Sequence, residues 1–298
     1  MNKSNLKMKS NDHHIVSHII LILACITIIY PFCVIIGASF QSPADLAEHG
    51  YRMIPKEFSL EAYKMIFQTS GQLLNSYKVT LIVTLLGTIL ATTLTTSYAY
   101  VISRPTYRYR KILSFYVFFT MLFNGGLVAN YLWLSGTLNL KNTYAVLILP
   151  LCVSPWNIIM MKGFMMGLPS SLPEAAKVDG ASELKIFTRI VLPCSLPGVA
   201  TITLFYALGY WNDWYTGMIY IDGNDLVCLQ LLLQRIIKDI DFLNSAEAMS
   251  TGMNTGKELP TVSARMAMCI LAAGPMLLIF PFFQKYFRTG ITIGSVKG

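Results

Sequence analysis

The sequence predicts an all-α membrane protein with six transmembrane helices. Of its 298 residues, 54% are hydrophobic and only 13% are charged, which is roughly half the charged fraction of an ordinary soluble domain. The mean hydropathy is +0.53, and long uncharged runs separate the charged residues. A run of about 18 or more apolar residues can cross the roughly 30 Å hydrocarbon core of a bilayer. Several runs in this chain are long enough.

Six uncharged runs, with histidine ignored, give the predicted spans, at residues 15–40, 79–102, 112–140, 142–161, 190–212 and 266–284. No plain A-x-A cleavage site accompanies the first run, so we predict a retained helix and not a cleaved leader. The third run is longer than one crossing requires. Because Gly125 and Gly126 lie at its middle, we predict that a bend, a tilt or an outer loop absorbs the excess.

The basic residues predict the orientation. Of the 23 Lys and Arg residues, 14 lie on the side of the membrane that also holds both termini. Cytoplasmic loops carry an excess of Lys and Arg, so both termini are predicted to be cytoplasmic. The predicted order is a cytoplasmic tail (1–14), a first helix (15–40), an extracytoplasmic loop (41–72), a core of five helices (73–284) and a cytoplasmic tail (285–298).

A second extracytoplasmic loop is predicted at residues 221–264. It contains the segment LVCLQLLLQRIIKDI, in which apolar and polar positions alternate at helical spacing and charges interrupt the apolar stretch. Such a segment is too polar to span a membrane. It predicts either an external docking helix or a surface helix that packs on its own bundle.

Several classes of function are disfavoured by the residues. The net charge of +8 comes from basic residues that flank apolar runs, which is not the pattern of a nucleic-acid-binding domain. No G-x-x-x-x-G-K-[ST] motif is present, and the four histidines form no paired helical metal-ligand set. The uncharged spans offer few of the buried ionisable residues that are expected in a proton- or sodium-driven carrier or a channel.

The segment between the fourth and fifth spans, LPSSLPEAAKVDGASELKIFTRIVLP, predicts two short helices joined by a turn. Ser171 is the expected cap of the first helix, and Glu174 completes an S-x-x-E capping box. Gly180 is expected to end that helix, because glycine readily adopts the left-handed conformation. Ser182 is expected to begin the second helix, and Pro193 is expected to introduce the next membrane span.

The same segment, residues 168–193, has the spacing E-A-A-x3-G-x9-I-x-L-P. This pattern resembles the EAA loop of ATP-binding-cassette (ABC) importer permeases. The resemblance implies the type I ABC importer permease fold, with residues 168–193 as the loop that couples the permease to a separate ATPase. The coupling residues that it implies are Glu174, Ala175, Ala176, Asp179, Gly180, Ile190, Leu192 and Pro193.

The resemblance also implies the partners of the chain. They are a second homologous permease subunit, two ATPase subunits that bind ATP and Mg, and an extracytoplasmic binding protein, in a bacterial inner membrane. The chain itself is expected to be neither an enzyme nor the carrier of a cofactor.

The tail YFRTGITIGSVKG is similar to that of the carbohydrate-importer subgroup, which implies a sugar or an oligosaccharide as the substrate. An ABC permease for a peptide, an amino acid or an anion is the alternative. A secondary carrier or a channel is a more distant alternative.

Two clusters are candidates for a sugar path, because sugars are held by aromatic faces and by amide or carboxylate groups. Trp211, Asn212, Asp213 and Trp214 fall toward the outer end of the fifth span. An interfacial aromatic belt is the alternative explanation of both tryptophans and needs no ligand; it is favoured for Trp214, whereas the path is favoured for Asn212 and Asp213. Asn124 is the third-span candidate, since polar side chains in a membrane bundle tend to face a cavity.

Overall fold

All the regular structure that can be described in this chain is helical. The computed structural model describes residues 3–68, 70–243 and 261–294, with the side chains of residues 16–67, 71–239 and 262–284. Within those ranges the one β contact is an isolated bridge between Gln41 and Phe58. The predicted all-α class is therefore confirmed for the described part of the chain.

The chain divides into two compact units. One comprises Met1–Ser70 and Ile236–Ala273, and the other comprises Gly71–Arg235 and Gly274–Gly298. The second unit contains the segment that resembles the EAA loop.

Three helices are uninterrupted and apolar enough to cross a membrane, namely α1 (Lys3–Ser39), α4 (Ser70–Ser103) and α15 (Thr261–Gly294). The shortest of their apolar stretches has 23 residues. At about 1.5 Å per residue, it extends roughly 35 Å, which is sufficient for one crossing. These helices coincide with the first, second and sixth predicted spans.

The other three predicted spans are bent pairs of helices. The helix α5 (Arg110–Leu122) is followed at 116° by α6 (Gly126–Tyr131), which continues as a π-helix over Leu132–Thr137. The helix α7 (Tyr144–Ile148) continues as a 3₁₀ turn, and the chain then bends by 51° into α8 (Pro155–Met166). The first part of the third pair consists of α10 (Glu183–Ile186), a π-helix (Phe187–Val191) and α11 (Leu192–Cys194). Its second part is α12 (Leu196–Trp211), and the angle between the two parts is 82°. The described residues thus contain three spans, or up to six if each bent pair counts as one.

The start of the fifth span differs from the prediction. Pro193 does not introduce the membrane helix but lies in α11, and the chain turns before α12 begins at Leu196. Pro197 occupies the first turn of α12, where a missing N–H leaves no helical hydrogen bond unmade. The first residues of the apolar run 190–212 therefore belong to the preceding loop.

Five shorter helices complete the described fold. They are α2 (Pro43–His49), α3 (Glu61–Gln68), α9 (Ser171–Val178), α13 (Tyr215–Tyr220) and α14 (Leu229–Leu243). The predicted amphipathic helix in the segment after residue 225 is confirmed by α14. Leu229, Leu232 and Leu233 at its start are buried, and the N–H of Leu229 donates to Thr80 Oγ1 at 2.8 Å.

In the first unit, Gln41 connects several parts of the chain. Its Nε2 donates to Asp45 Oδ2 at 3.0 Å and to the Gly50 carbonyl at 3.2 Å, while its Oε1 accepts from the Arg52 N–H at 3.2 Å. Its carbonyl accepts a hydrogen bond from Ser263 Oγ at 3.0 Å. The amide of Gln41 lowers the pKa of Asp45, because it donates to the ionised carboxylate. The segment after α1 is thus a folded element of the unit.

In the second unit, Tyr210 on α12 is a central core residue. It is 1% exposed, and its hydroxyl donates to the Ile148 carbonyl at 2.8 Å. Its ring lies against Gly87 of α4, where an added Cβ would be 2.5 Å from the ring carbon Cζ. The absent side chain at Gly87 therefore permits the close approach of α4 and α12.

We predict that Gly87→Ala destabilises the protein by about 1–3 kcal/mol, since the methyl group overpacks a core in which the Tyr210 ring is fixed by its hydrogen bond. Gly71→Ala is the matched control on the same helix, because a Cβ there meets nothing within 4 Å. Thermal unfolding of the purified protein in detergent measures both variants. Equal midpoints for the two variants would contradict the close packing of α4 on α12.

Candidate functional site

The loop at residues 168–193 is an ordered structure with a defined turn. The first helix, α9, ends at Val178 with Asp179 as its C-cap, and the next residue, Gly180, has φ +76°, as the sequence predicts. The N–H of Gly180 donates to the Lys177 carbonyl at 3.1 Å, and the N–H of Ala181 donates to the Ala176 carbonyl at 2.9 Å. This pair of bonds is a Schellman motif, which satisfies the last carbonyls of a helix.

The start of α9 differs from the prediction, and the start of α10 agrees with it. The N-cap of α9 is Ser170 and not Ser171, and no side chain caps it. Ser170 has helical φ and ψ (−63°, −25°), whereas a capping serine is normally extended, so the predicted capping box with Glu174 does not form. Ser182 is extended (−66°, 154°), and its side chain accepts from the Lys185 N–H.

One face of the loop is built into the helical bundle. Ala176 and Ala181, the two residues joined by the Schellman bond, pack against a buried cluster that includes Ile186 and Val191 of the loop. The rest of that cluster comes from α4, α8 and α12, namely Ala99, Tyr100, Met161, Met165 and Ile202. The loop therefore contacts three membrane-crossing elements through a single apolar core.

The opposite face of the loop is exposed and partly apolar. Glu174 and Ala175 are exposed on it, Val178 is 88% exposed and Leu184 is 71% exposed. Asp179 and Gly180 are also exposed. Val178 and Leu184 are thus large aliphatic side chains that the folded chain leaves uncovered, as at a surface that binds another protein.

The I-x-L-P part of the pattern forms the joint between the loop and α12. Ile190 and Leu192 are half-buried, Val191 between them is buried, and Pro193 is exposed. A proline ring clashes with the carbonyl four residues before it in a regular helix. The π-helix over Phe187–Val191 widens the backbone immediately before Pro193.

Three polar residues around the loop were missed by the sequence analysis. Glu183 accepts a hydrogen bond from Tyr100 Oη at 2.6 Å, and its carboxylate lies 3.6 Å from Arg104 Nε. Tyr100 and Arg104 are one helical turn apart at the junction of the second predicted span and the basic loop, and this spacing is the signal that could have identified them. A cavity of about 240 Å³ beside them is lined by both residues and by Glu174 and Lys177.

The four residues of the outer candidate cluster are placed differently from one another. Trp211 is only 2% exposed, so its ring lies in the protein interior. Asn212 is exposed, and its Oδ1 accepts from Gln230 Nε2 at 3.3 Å. Asp213 Oδ1 accepts from the N–H of Thr216, in the first turn of α13, at 3.1 Å. Each of these three residues thus has a structural role that is visible without a ligand.

Trp214 and Asn124 lie at breaks between helices. Trp214 is 37% exposed, and its ring contacts Tyr215 edge to face at 5.9 Å. Asn124 is exposed in the break between α5 and α6, and its Oδ1 accepts from the N–H of Gly126 at 3.0 Å. The side chain of Asn124 therefore stabilises the bend that the two glycines predict.

The segments that follow Asn124 and Trp214 meet at a second cavity. Its volume is about 470 Å³, and its lining includes Asn130, Trp133, Tyr215, Thr216 and Tyr220. None of the five predicted path residues is among its lining residues. In the described ranges, no group of three or more His, Cys, Asp or Glu residues is placed to hold a metal ion.

Comparison with known proteins identifies related chains. Residues 84–293 match the family model described as "Binding-protein-dependent transport system inner membrane component". Protein LplC of Bacillus subtilis (strain 168) is 38% identical, with 91% of this chain and 90% of LplC covered. The polygalacturonan/rhamnogalacturonan transport system permease protein YtcP of the same organism is 37% identical, with 93% and 96% covered.

A solved structure is also similar over nearly the whole chain. It belongs to a bacterial ABC transporter involved in the import of the acidic polysaccharide alginate. The TM-score is 0.77 at 26% identity, and the match covers 96% of this chain and 99% of that one.

We predict that Gly180→Val opens the loop, because a β-branched residue at positive φ costs about 1–3 kcal/mol of local stability. Trypsin should then cleave after Lys177 or Lys185 roughly tenfold faster than in the wild type. Gly180→Asn is the control, because asparagine tolerates the left-handed conformation. Equal cleavage rates in the two variants would show that the turn does not depend on the conformation at residue 180.

Proposed function

The chain belongs to the family of binding-protein-dependent transport system inner membrane components, the permeases of ABC importers, and on this premise we propose that it moves a sugar or an oligosaccharide across a bacterial inner membrane. The permease is not itself an enzyme, and family membership implies a separate ATPase and a substrate-binding protein. In the proposed cycle, the binding protein delivers the sugar outside, and the ATPase drives its release inside.

The observation that carries the proposal is the two-faced loop at residues 168–193. Its buried face packs on α4, α8 and α12, and its exposed face presents Glu174, Ala175 and Val178. A subunit that binds the exposed face can displace three spans together, because packed helices move as rigid bodies. We assign the exposed face to the ATPase. Any nucleotide and Mg would be bound by that partner.

The proposed topology has six spans, with each bent pair counted as one. Both termini are cytoplasmic, because 14 of the 23 basic residues then lie on the cytoplasmic side. The same orientation places the coupling loop in the cytoplasm, where an ATPase finds its nucleotide. A closed pathway requires a second permease subunit, and two ATPase copies match the two coupling loops of such a pair.

The carbohydrate assignment is supported by two kinds of resemblance. YtcP is a polygalacturonan/rhamnogalacturonan transport system permease protein, and the similar solved structure belongs to a transporter involved in the import of the acidic polysaccharide alginate. The C-terminal pattern over residues 286–298 points the same way, although residues 295–298 lie outside the described part of the chain. Exposed aromatic rings around the 470 Å³ cavity, at Trp133 and Tyr215, suit the apolar faces of a sugar.

The proposal predicts which proteins accompany the permease. A tagged chain, purified from its native membrane, should co-purify with a Walker-type ATPase and a second permease. With its binding protein in proteoliposomes, the complex should take up labelled oligosaccharide only when ATP is supplied.

Two outcomes would contradict this prediction. A homo-oligomer without an ATPase would indicate a carrier or a channel. ATP-driven uptake of peptides, amino acids or anions, with none of oligosaccharides, would favour the alternative importer class.

We predict that Asn212→Ala and Asp213→Ala each raise the KM of uptake about two- to tenfold, because each removes one hydrogen bond to the substrate. The transporter should still assemble in both variants. Gln230→Ala and Asp213→Asn are the controls. The first removes the hydrogen bond between Gln230 and Asn212, and the second keeps an acceptor for the Thr216 N–H. An unchanged KM in both alanine variants would remove the two residues from the path, and a rise in Gln230→Ala equal to that in Asn212→Ala would assign Asn212 a structural role.

A further inference from the structure

A polar cluster joins the coupling loop to a membrane helix, α4, that is not adjacent to it in the sequence. Glu183, the first residue of α10, is the centre of this cluster. Its Oε2 accepts from Tyr100 Oη at 2.6 Å and lies 3.6 Å from Arg104 Nε. Its Oε1 accepts from Lys177 Nζ on α9 at 3.3 Å. One carboxylate thus joins both loop helices to the cytoplasmic end of α4.

The α4 side of the cluster is held firmly in position. Tyr100 is 7% exposed on α4, and its ring also contacts the loop through Phe187 at a centroid distance of 4.9 Å. The guanidinium of Arg104 lies 5.7 Å from the centre of the same ring, within the range of a cation–π interaction. The side chain of Arg104 is only 15% exposed. The groups that meet Glu183 therefore have little freedom to follow the loop unless α4 moves with it.

The three helices that contact the loop differ in how they are attached to it. The chain runs from α8 through the loop into α12, so covalent bonds join the loop to those two helices. The helix α4 ends at Ser103, 65 residues before the loop begins at residue 168, so its direct contacts with the loop are non-covalent. The apolar contacts resist separation, but hydrophobic attraction has no preferred direction. Hydrogen bonds to a charged group fix both distance and orientation.

We propose that Glu183 is a positioning residue that couples α4 to the loop, so that a movement imposed by the ATPase reaches α4 as well as α8 and α12. The inference rests on the proposed function, since it requires that an ATPase displaces the loop. Glu183 lies outside the E-A-A-x3-G-x9-I-x-L-P pattern, and it acts through Tyr100 and Arg104. The side chain of Glu183 is 49% exposed, so the cluster adds little to stability and its variants should still assemble.

The test compares Glu183→Gln and Tyr100→Phe with the wild type in proteoliposomes that contain the complete transporter. The number of sugar molecules taken up per ATP hydrolysed should fall about fivefold, the low end of coupling between two sites in a protein. ATP hydrolysis and the amount of assembled complex should stay within about twofold of the wild type. Glu183→Gln replaces the charged acceptor of the Tyr100 hydrogen bond with a neutral one, and Tyr100→Phe removes the donor, so the two effects should be less than additive in the double variant.

Lys185→Gln is the control, because it removes a charge from the same short helix without a contact to Tyr100 or Arg104. It should keep the wild-type ratio of uptake to hydrolysis. An unchanged ratio in Glu183→Gln and Tyr100→Phe, or an equal fall in the Lys185→Gln control, would overturn the proposal. If the wild-type complex itself takes up no sugar on ATP addition, the proposed function fails instead, and the two failures are thereby distinguished.

Discussion

The contact between the coupling loop and the helical bundle is the feature on which the proposed mechanism depends. The left-handed turn at Gly180 brings Ala176 and Ala181 together, and both pack on a core that includes Tyr100 and Ile202. If this turn were extended, the two loop helices could not share one buried face. Small residues at these positions allow close packing, and glycine allows the turn without strain. The glycine and the second alanine of the sequence pattern thus have a physical explanation in the loop itself.

The bends in the helices are possible because the backbone groups that each break exposes find local hydrogen-bond partners. In a bilayer, each exposed N–H or carbonyl without a partner is costly, so breaks in a span require local compensation. Asn124 supplies a side-chain acceptor at the break between α5 and α6, and Asp213 does so before α13. The π-helix before Pro193 makes room for the proline ring at the joint with α12. The polar residues at these breaks therefore stabilise the fold, whatever further role they have in transport.

The sequence predicted the features that follow from local composition. Apolar runs gave the positions of the membrane-crossing elements, Gly180 gave the turn, and Ser182 gave the start of α10. The predictions that Ser171 caps α9 and that Pro193 begins the fifth span were wrong, because both features depend on how the chain enters and leaves the loop. The partnership of Tyr100 with Glu183 could not be predicted, since it joins residues 83 positions apart through tertiary packing. The burial of Trp211 likewise depends on neighbouring helices.

The most direct test of the account is a distance measurement between the loop and α4 during the transport cycle. Spin labels at exposed positions 185 on α10 and 97 on α4, in a chain whose six native cysteines are replaced, report this distance by pulsed electron resonance. The assembled transporter is compared without nucleotide and with ATP trapped. The account predicts a change below about 2 Å, because loop and helix move as one body. A change of about 5 Å, one helical turn, would contradict it and would show that the loop slides past α4.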